Sequence, residues 1–270
     1  DGDEINGTPG ISVVHYLEQK GVCYSGSRAE FYQATTSKIT MKEAFRHSAI
    51  PTPKWEVIKN KHQSITGIFD RLGSPLILKP AISGGSLGIS VKNVVHDEKE
   101  LSQQIRLLYE GYRGWDLSSG GLIAEQFIKG PEFTTLIVGS ADRPKDCIHY
   151  LPVERVFHSS LPDTEKFLSF DRLWEFYETE SQMPGDENFF EYYLASEELI
   201  PALQQISLDA YVAVCGSGYA RIDIRMDAQA KKLYVLEVNS QCGLSEDEDH
   251  TSIGAILRVS GKSFTQLIAE

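Results

Sequence analysis

Period-two alternation is sharpest in "YARIDIRM" (219–226) and "KLYVLEVN" (232–239), two apolar-polar runs around a polar turn that predict a β-hairpin. Shorter apolar runs predict strands at "VCY" (22–24), "KWEVI" (54–58), 76–79, "GGLIAEQFI" (120–128), "EFTTLIVG" (132–139) and 145–157. Helical signals separate them. Thr8 followed by Pro9 starts a helix that runs to about Lys20 and stops at Gly21. A second begins near Ser37, carries Lys38 and Lys42 one turn apart, and ends before "IPTP". A third covers about 65–72, and Asp97 with Glu100 opens a fourth that reaches about Tyr109. Ser196 caps a long helix ending at Gly216, and two helices close the chain after the acidic loop "SEDEDH". Residues 158–188 fit no period and read as a long loop with helical turns. Hairpins mixed with helices predict an α+β protein of two lobes with a cleft between them.

Composition narrows the ligand. The chain has 270 residues and a formal net charge of −12, which argues against a nucleic-acid surface. A phosphate ligand would therefore need local cations and a metal. Cys23, Cys147, Cys215 and Cys242 are widely spaced, as expected of structural thiols in a reducing, cytoplasmic compartment. No apolar run is long enough for a membrane span, so no membrane partner is expected. The first residue is Asp1, and "DGDEINGTPG" reads as a loop from within a longer protein.

Three stretches carry candidate chemistry. In "ILKPAISGGSLGIS" (77–90), Lys79 ends a strand and Gly84, Gly85 and Gly88 thin out the following turn. Bare backbone N–H groups beside a lysine make an anion seat, although a flexible hairpin tip would look the same. On the hairpin, Arg221 shares a strand face with Asp223, and Glu237 shares one with Asn239. Two carboxylates and an amide oxygen suit Mg²⁺; the plain alternative is a solvated face with an Arg–Asp pair. "EQFIKGPEF" adds Glu125 and Glu132, which could accept from a base amine or ribose hydroxyls, with Phe127 and Ile128 as walls, or could be ordinary surface carboxylates.

Taken in order, "SKITMK", "ILKPAISGGSLGIS", "EQFIKGPEF", "RIDIRM" and "LEVNSQCGLS" resemble the ATP-grasp carboxylate–amine ligases, in the D-alanine–D-alanine ligase branch. "GTPGISVVHYLEQKGVCYSGS" and "IPTP" are similar to that branch too. The resemblance implies an ATP-grasp fold, two α/β lobes clasping ATP, with residues 1–27 ending an N-terminal substrate domain, 28–120 a central lobe and 121–270 a C-terminal lobe. By the same resemblance Lys38 and Lys79 grip the α- and β-phosphates, and the Gly84–Gly88 turn, with Gly85 and Ser86, folds over the γ-phosphate. Glu125 and the backbone at Phe127 and Ile128 hold adenine, and Glu132 holds the ribose. Asp223, Glu237 and Asn239 bind Mg²⁺, with Mn²⁺ as the other candidate metal. Arg221 and the N–H of Gly243 stabilise an oxyanion, with Ser86 beside the reacting groups. The expected substrates are small and amino-acid-like, and a homodimer is the expected assembly.

The chain departs from that branch at telling places. The branch has two serines in the lid turn, where this chain has Gly85 and Ser86. Its Tyr-Glu-Ala-Lys-Tyr loop finds its nearest match in "FDRLW", with Leu173 at the lysine and Trp174 at the last tyrosine; Arg172 or Lys166 are candidates for the missing charge. Glu246–Asp249 forms an acidic run where the branch holds its second substrate, although such runs are usually solvated loops. Two other classes stay open: an ATP-grasp kinase acting on a hydroxyl, and a non-catalytic nucleotide-binding protein. Retention of Arg221 and the three metal-ligand types counts against the latter.

Overall fold

The computed structural model describes residues 10–177, 180, 183, 188–248 and 250–270. The helix start expected at Thr8 and Pro9 lies outside them. The helices are α1 (Ile11–Gln19), α2 (Ala29–Thr36), α3 (Lys38–His47), α4 (Ile68–Leu72), α5 (Glu98–Glu110), α6 (Phe170–Leu173), α7 (Ile200–Ala213), α8 (Ser252–Ser260) and α9 (Phe264–Ala269). The strands are β1 (Trp55–Ile58), β2 (Leu76–Pro80), β3 (Val94–Val95), β4 (Leu122–Gln126), β5 (Glu132–Ser140), β6 (Ile148–His149), β7 (Val153–Phe157), β8 (Phe190–Leu194), β9 (Ser217–Met226) and β10 (Leu233–Asn239).

Two antiparallel sheets result. One has four strands in the order β1-β4-β2-β3; the other runs β10-β9-β5-β7-β8, with β6 beside β5. Leu76, Leu78, Leu122 and Ala124 of the first pack with Leu101, Ile105 and Leu108 of α5. On β9, Ala220, Ile222 and Ile224 point to a core shared with α7, while Arg221, Asp223 and Arg225 take the opposite face. The expected hairpin forms as β9–β10, with Glu237 opposite Asp223 and Asn239 opposite Arg221.

Helix starts follow their caps. Ser37 Oγ accepts from the Ile39 amide at 3.3 Å at the head of α3. Asp97 Oδ1 accepts from the Glu100 amide at 2.8 Å at the head of α5. In α3 the buried stripe is Lys38, Met41, Lys42 and Phe45, so the helix that buries apolar side chains on the second sheet also buries two lysines.

Several expectations need correction. "VCY" is not a strand: Val22 is 48% exposed, and three apolar residues without a partner strand have no ladder to join. The helix expected from Ser196 starts at Ile200, with Pro201 in its first turn where the missing N–H costs nothing. The segment 145–157 divides into β6 and β7, and α2 and β8 were not anticipated. The expected lobe boundary after residue 120 falls just before β4, a strand of the first sheet. β4 lies between β1 and β2, so the chain changes sheets at Lys129–Pro131. Phe31, Met41 and Phe45, from the segment assigned to the central lobe, pack against Phe133, Leu203 and Ile222 of the second.

Candidate functional site

The inner faces of the two sheets line one cavity of about 540 Å³. Six lysine and arginine side chains reach it (Lys38, Lys42, Lys79, Arg155, Arg221 and Arg225), against four carboxylates, Glu125, Glu132, Asp223 and Glu237. The lining is therefore net positive in a chain of net charge −12, a local seat for an anion.

At one end stand the lysines and the glycine turn. Lys38 Nζ donates to Ser83 O at 3.1 Å, and burial pulls its pKa below the ordinary lysine range with Glu237 opposing. Lys79 Nζ donates to Glu125 Oε1 at 2.8 Å. Gly85 and Ser86 both take positive φ (55° and 60°), and Gly88 must lack a side chain because a Cβ there would meet Leu117 and Pro80.

Across the cavity, Arg221 Nη2 donates to Asp223 Oδ2 at 2.9 Å and Thr134 Oγ1 to Asp223 Oδ1 at 3.1 Å. Asn239 Nδ2 lies 3.0 Å from Asp223 Oδ2 and 3.3 Å from Glu237 Oε1. Two carboxylates thus converge on one amide, whose oxygen and nitrogen exchange by a flip. Among the described residues no cluster of three or more His, Cys, Asp or Glu could hold a metal. A pair of carboxylates with an amide oxygen is nevertheless the sparse set that Mg²⁺ takes when phosphate oxygens complete its shell, so the residues fit that ion. Burial pushes the Cys242 thiol up to about 11, with Arg221 opposing, so a neutral thiol sits beside this group.

The remaining end differs from expectation. Glu125 meets two lysines: Lys42 Nζ lies 2.5 Å from Oε2 while Lys79 holds Oε1. Burial alone would raise the Glu125 pKa, but the two lysines reverse this and hold it at about 2. Glu132 is likewise taken, by Arg225 Nη2 at 2.6 Å and by Arg155 Nη1. Arg225 Nη1 also donates to Ile128 O at 3.2 Å, and its guanidinium lies over the Phe127 ring, 5.1 Å from the centroid. Arg155 Nη2 donates to Tyr192 Oη at 3.0 Å. Register explains the row, since Arg225 pairs with Glu132, Glu132 with Arg155 and Arg155 with Tyr192 across four neighbouring strands.

A strap of residues 166–174 crosses this cavity. Arg225 donates to the Lys166 carbonyl, and Phe167 packs edge-on to Phe127 at 5.9 Å. Ser86 Oγ donates to Leu168 O at 2.9 Å, the Phe170 amide to Ile89 O at 2.8 Å, and Trp174 Nε1 to Gly85 O at 2.9 Å. Of the charges considered for the strap, Lys166 pairs with Asp163 and Arg172 with Glu165. Gly243 lines the cavity near Cys242; in the acidic run, Asp247 Oδ1 accepts from the His250 amide at 3.0 Å, and Asp249 lies outside the described residues. Sequence reasoning missed Arg225, although it follows Asp223 by one strand period, and missed Arg155, for which the sequence holds no local signal.

A fold of two antiparallel sheets clasping a charged cleft is the ATP-grasp architecture. Consistently, the crystal structure of a D-alanine–D-alanine ligase from Bacillus anthracis complexed with ATP superposes with a TM-score of 0.70 at 22% identity, covering 96% of this chain and 72% of that one. The family described as "D-ala D-ala ligase C-terminus" matches residues 45–270, and the chain belongs to it. D-alanine–D-alanine ligases from Desulfotalea psychrophila and Albidiferax ferrireducens are 31% and 27% identical over 86% and 94% of this chain. The aligned part spans 64% of the length of each of these relatives. Among the described residues no helix is long and apolar enough to cross a membrane.

Proposed function

We propose that this chain supplies the nucleotide- and metal-binding part of an ATP- and Mg²⁺-dependent ligase that joins a carboxylate to an amine. One observation carries the reading: Lys38, Lys79 and the glycine turn face Asp223, Glu237 and Asn239 across the same cavity. In this reading the lysines hold the α- and β-phosphates, and the turn covers the γ-phosphate. Asp223, Glu237 and Asn239 hold Mg²⁺, which neutralises phosphate charge when bound. The carboxylate of the first substrate attacks the γ-phosphorus and ADP leaves, giving an acyl phosphate. The amine then attacks the acyl carbon, the oxyanion rests on Arg221 and the Gly243 amide, and expulsion of phosphate with loss of one proton leaves the amide. Most of the acceleration is positioning and charge stabilisation. The base end is read as Phe127 and Ile128 alone, since Glu125 and Glu132 are spent on internal cations.

The substrates are amino-acid-like and differ from a pair of D-alanines. Gly85 offers no hydroxyl, and the Trp174 indole, which donates without accepting, is already committed to the Gly85 carbonyl. A substrate amine deprived of polar partners loses several kcal/mol of transition-state binding. The test supplies the full-length protein with ATP, Mg²⁺ and a panel of amino acids, D-alanine included. Equal release of ADP and phosphate is expected with a bulkier acid or a basic amine. ADP without phosphate would instead mean a kinase, and rapid, saturable D-alanyl-D-alanine formation would overturn the substrate reading.

A further inference from the structure

Lys42 is the least expected member of the cavity. It lies on the buried stripe of α3, is 1% exposed, and belongs to none of the groups assigned above. Its ammonium has two partners, one on β4 and one in the loop that precedes β1. It meets Glu125 Oε2 at 2.5 Å on β4, and it donates to Thr52 Oγ1 at 2.6 Å. Thr52 donates onward to Val235 O at 2.9 Å on β10, and the Val235 amide donates back to Pro51 O at 2.8 Å. Two residues further along β10, across a break in register, stands Glu237. A continuous path of Lys79, Glu125, Lys42, Thr52 and Val235 therefore joins the phosphate-facing lysine to the strand that carries a metal-ligand candidate.

Burial makes this path costly. Taking an ammonium and a carboxylate out of water consumes most of their attraction, and well-packed apolar residues of similar volume often do as well for stability. Fold stability alone therefore does not account for Lys42. Its effect on Glu125 does. A carboxylate shared between two lysines attracts each less than it would attract one alone, and Lys79, 2.8 Å from Oε1 with its side chain 15% exposed, keeps two further N–H donors for the cavity. With Lys42 removed, Glu125 would have a single cation and would draw Lys79 back onto itself.

We propose that Lys42 is a positioning residue: it divides the Glu125 carboxylate with Lys79, so that the Lys79 ammonium is presented to the nucleotide phosphates in step with β10. The inference rests on the nucleotide reading of the cavity. It predicts second-site rescue of ATP affinity that does not track the melting temperature, whereas a purely structural ion pair would move both together. Calorimetric titration of the full-length protein with ATP and Mg²⁺ should show affinity falling about tenfold or more in Lys42→Met. It should be partly restored in the double variant Lys42→Met/Glu125→Gln, where nothing holds Lys79 back. Thr52→Val leaves every charge in place and cuts only the link to β10. It should weaken binding about threefold with a melting temperature near that of the parent, and it serves as the test if Lys42→Met does not fold. Unchanged affinity in Lys42→Met, a double variant weaker than the single one, or parent-like binding by Thr52→Val when Lys42→Met is unfolded would each overturn the proposal. Failure of the parent protein to bind ATP with Mg²⁺ would remove the nucleotide reading itself, and this inference with it.

Discussion

The two ends of the cavity are built from the same side-chain types and used in opposite ways. At the end proposed for phosphate and metal, Lys38, Lys79 and Glu237 each have a partner yet still line open space. At the end proposed for the base, Arg225, Glu132, Arg155 and Tyr192 pair with one another in an unbroken row and are nearly buried, with Arg225 Nε left over. The difference teaches that charge in a cleft is available to a ligand only where the protein leaves its hydrogen-bonding capacity unfinished. A carboxylate such as Glu132, completed by two arginines, is part of the wall.

Variants at the two ends should therefore fail in different assays. The largest effect is expected from Glu237→Gln, which keeps size and hydrogen bonding but removes the anionic charge of a proposed metal ligand. Turnover should fall by about a thousandfold or more with little change in melting temperature, whereas Asp209→Asn, exposed on α7, should change neither. Equal activity of the two variants would dissolve the contrast from the metal side. Next comes Glu132→Gln, which leaves two buried guanidinium groups without a counter-ion and should cost about 4 kcal/mol of stability by denaturant titration. Nucleotide affinity should change less than fivefold. A large affinity loss with an unchanged fold would return Glu132 to the ligand.

The smallest expected effect comes from pH. Glu125 has a folded pKa of about 2, below its unfolded value of about 4.5. The stability it contributes is complete above the unfolded value and is lost as pH falls from about 4.5 toward 2. The loss amounts to at most about 3 kcal/mol from the linkage relation. Acid titrations of stability should show this limb in the parent protein and lack it in Glu125→Gln; parallel curves would argue that the lysines do not hold the carboxylate.

The grouping of Asp223, Glu237 and Asn239 was legible in the sequence because its logic is local. Asp223, Glu237 and Asn239 follow the period of a strand, and the hairpin brings the two runs together without help from the rest of the chain. Lys38 could be placed from its cap and the helical period. The partners of Glu125 and Glu132 were not legible because they are remote: Glu125 meets Lys42 from another element, and Glu132 meets Arg155 through strand pairing that no local pattern announces. β8 was missed for a related reason. Phe190, Tyr192 and Tyr193 sit in an aromatic and charged stretch with no clean alternation, and the strand forms because β7 offers it a ladder. Conversely, the three apolar residues of "VCY" looked like a strand and found no partner.

The strap across the cavity has a consequence for observation. Three hydrogen bonds tie it to the glycine turn, each worth about 1 kcal/mol net, so parting the two costs a few kcal/mol and leaves the separated form at roughly one molecule in a hundred or fewer. Ligand entering through that form would bind with its apparent affinity reduced by the same fraction. One of the three bonds belongs to the indole of Trp174, a side chain 55% exposed, and the chain has only two other tryptophans, Trp55 and Trp115. When Trp174 leaves the Gly85 carbonyl its indole exchanges that hydrogen bond and the tilted contact with Phe170 for water. The protein thereby carries a built-in optical probe on the strap, whose emission would report any opening in real time without a label.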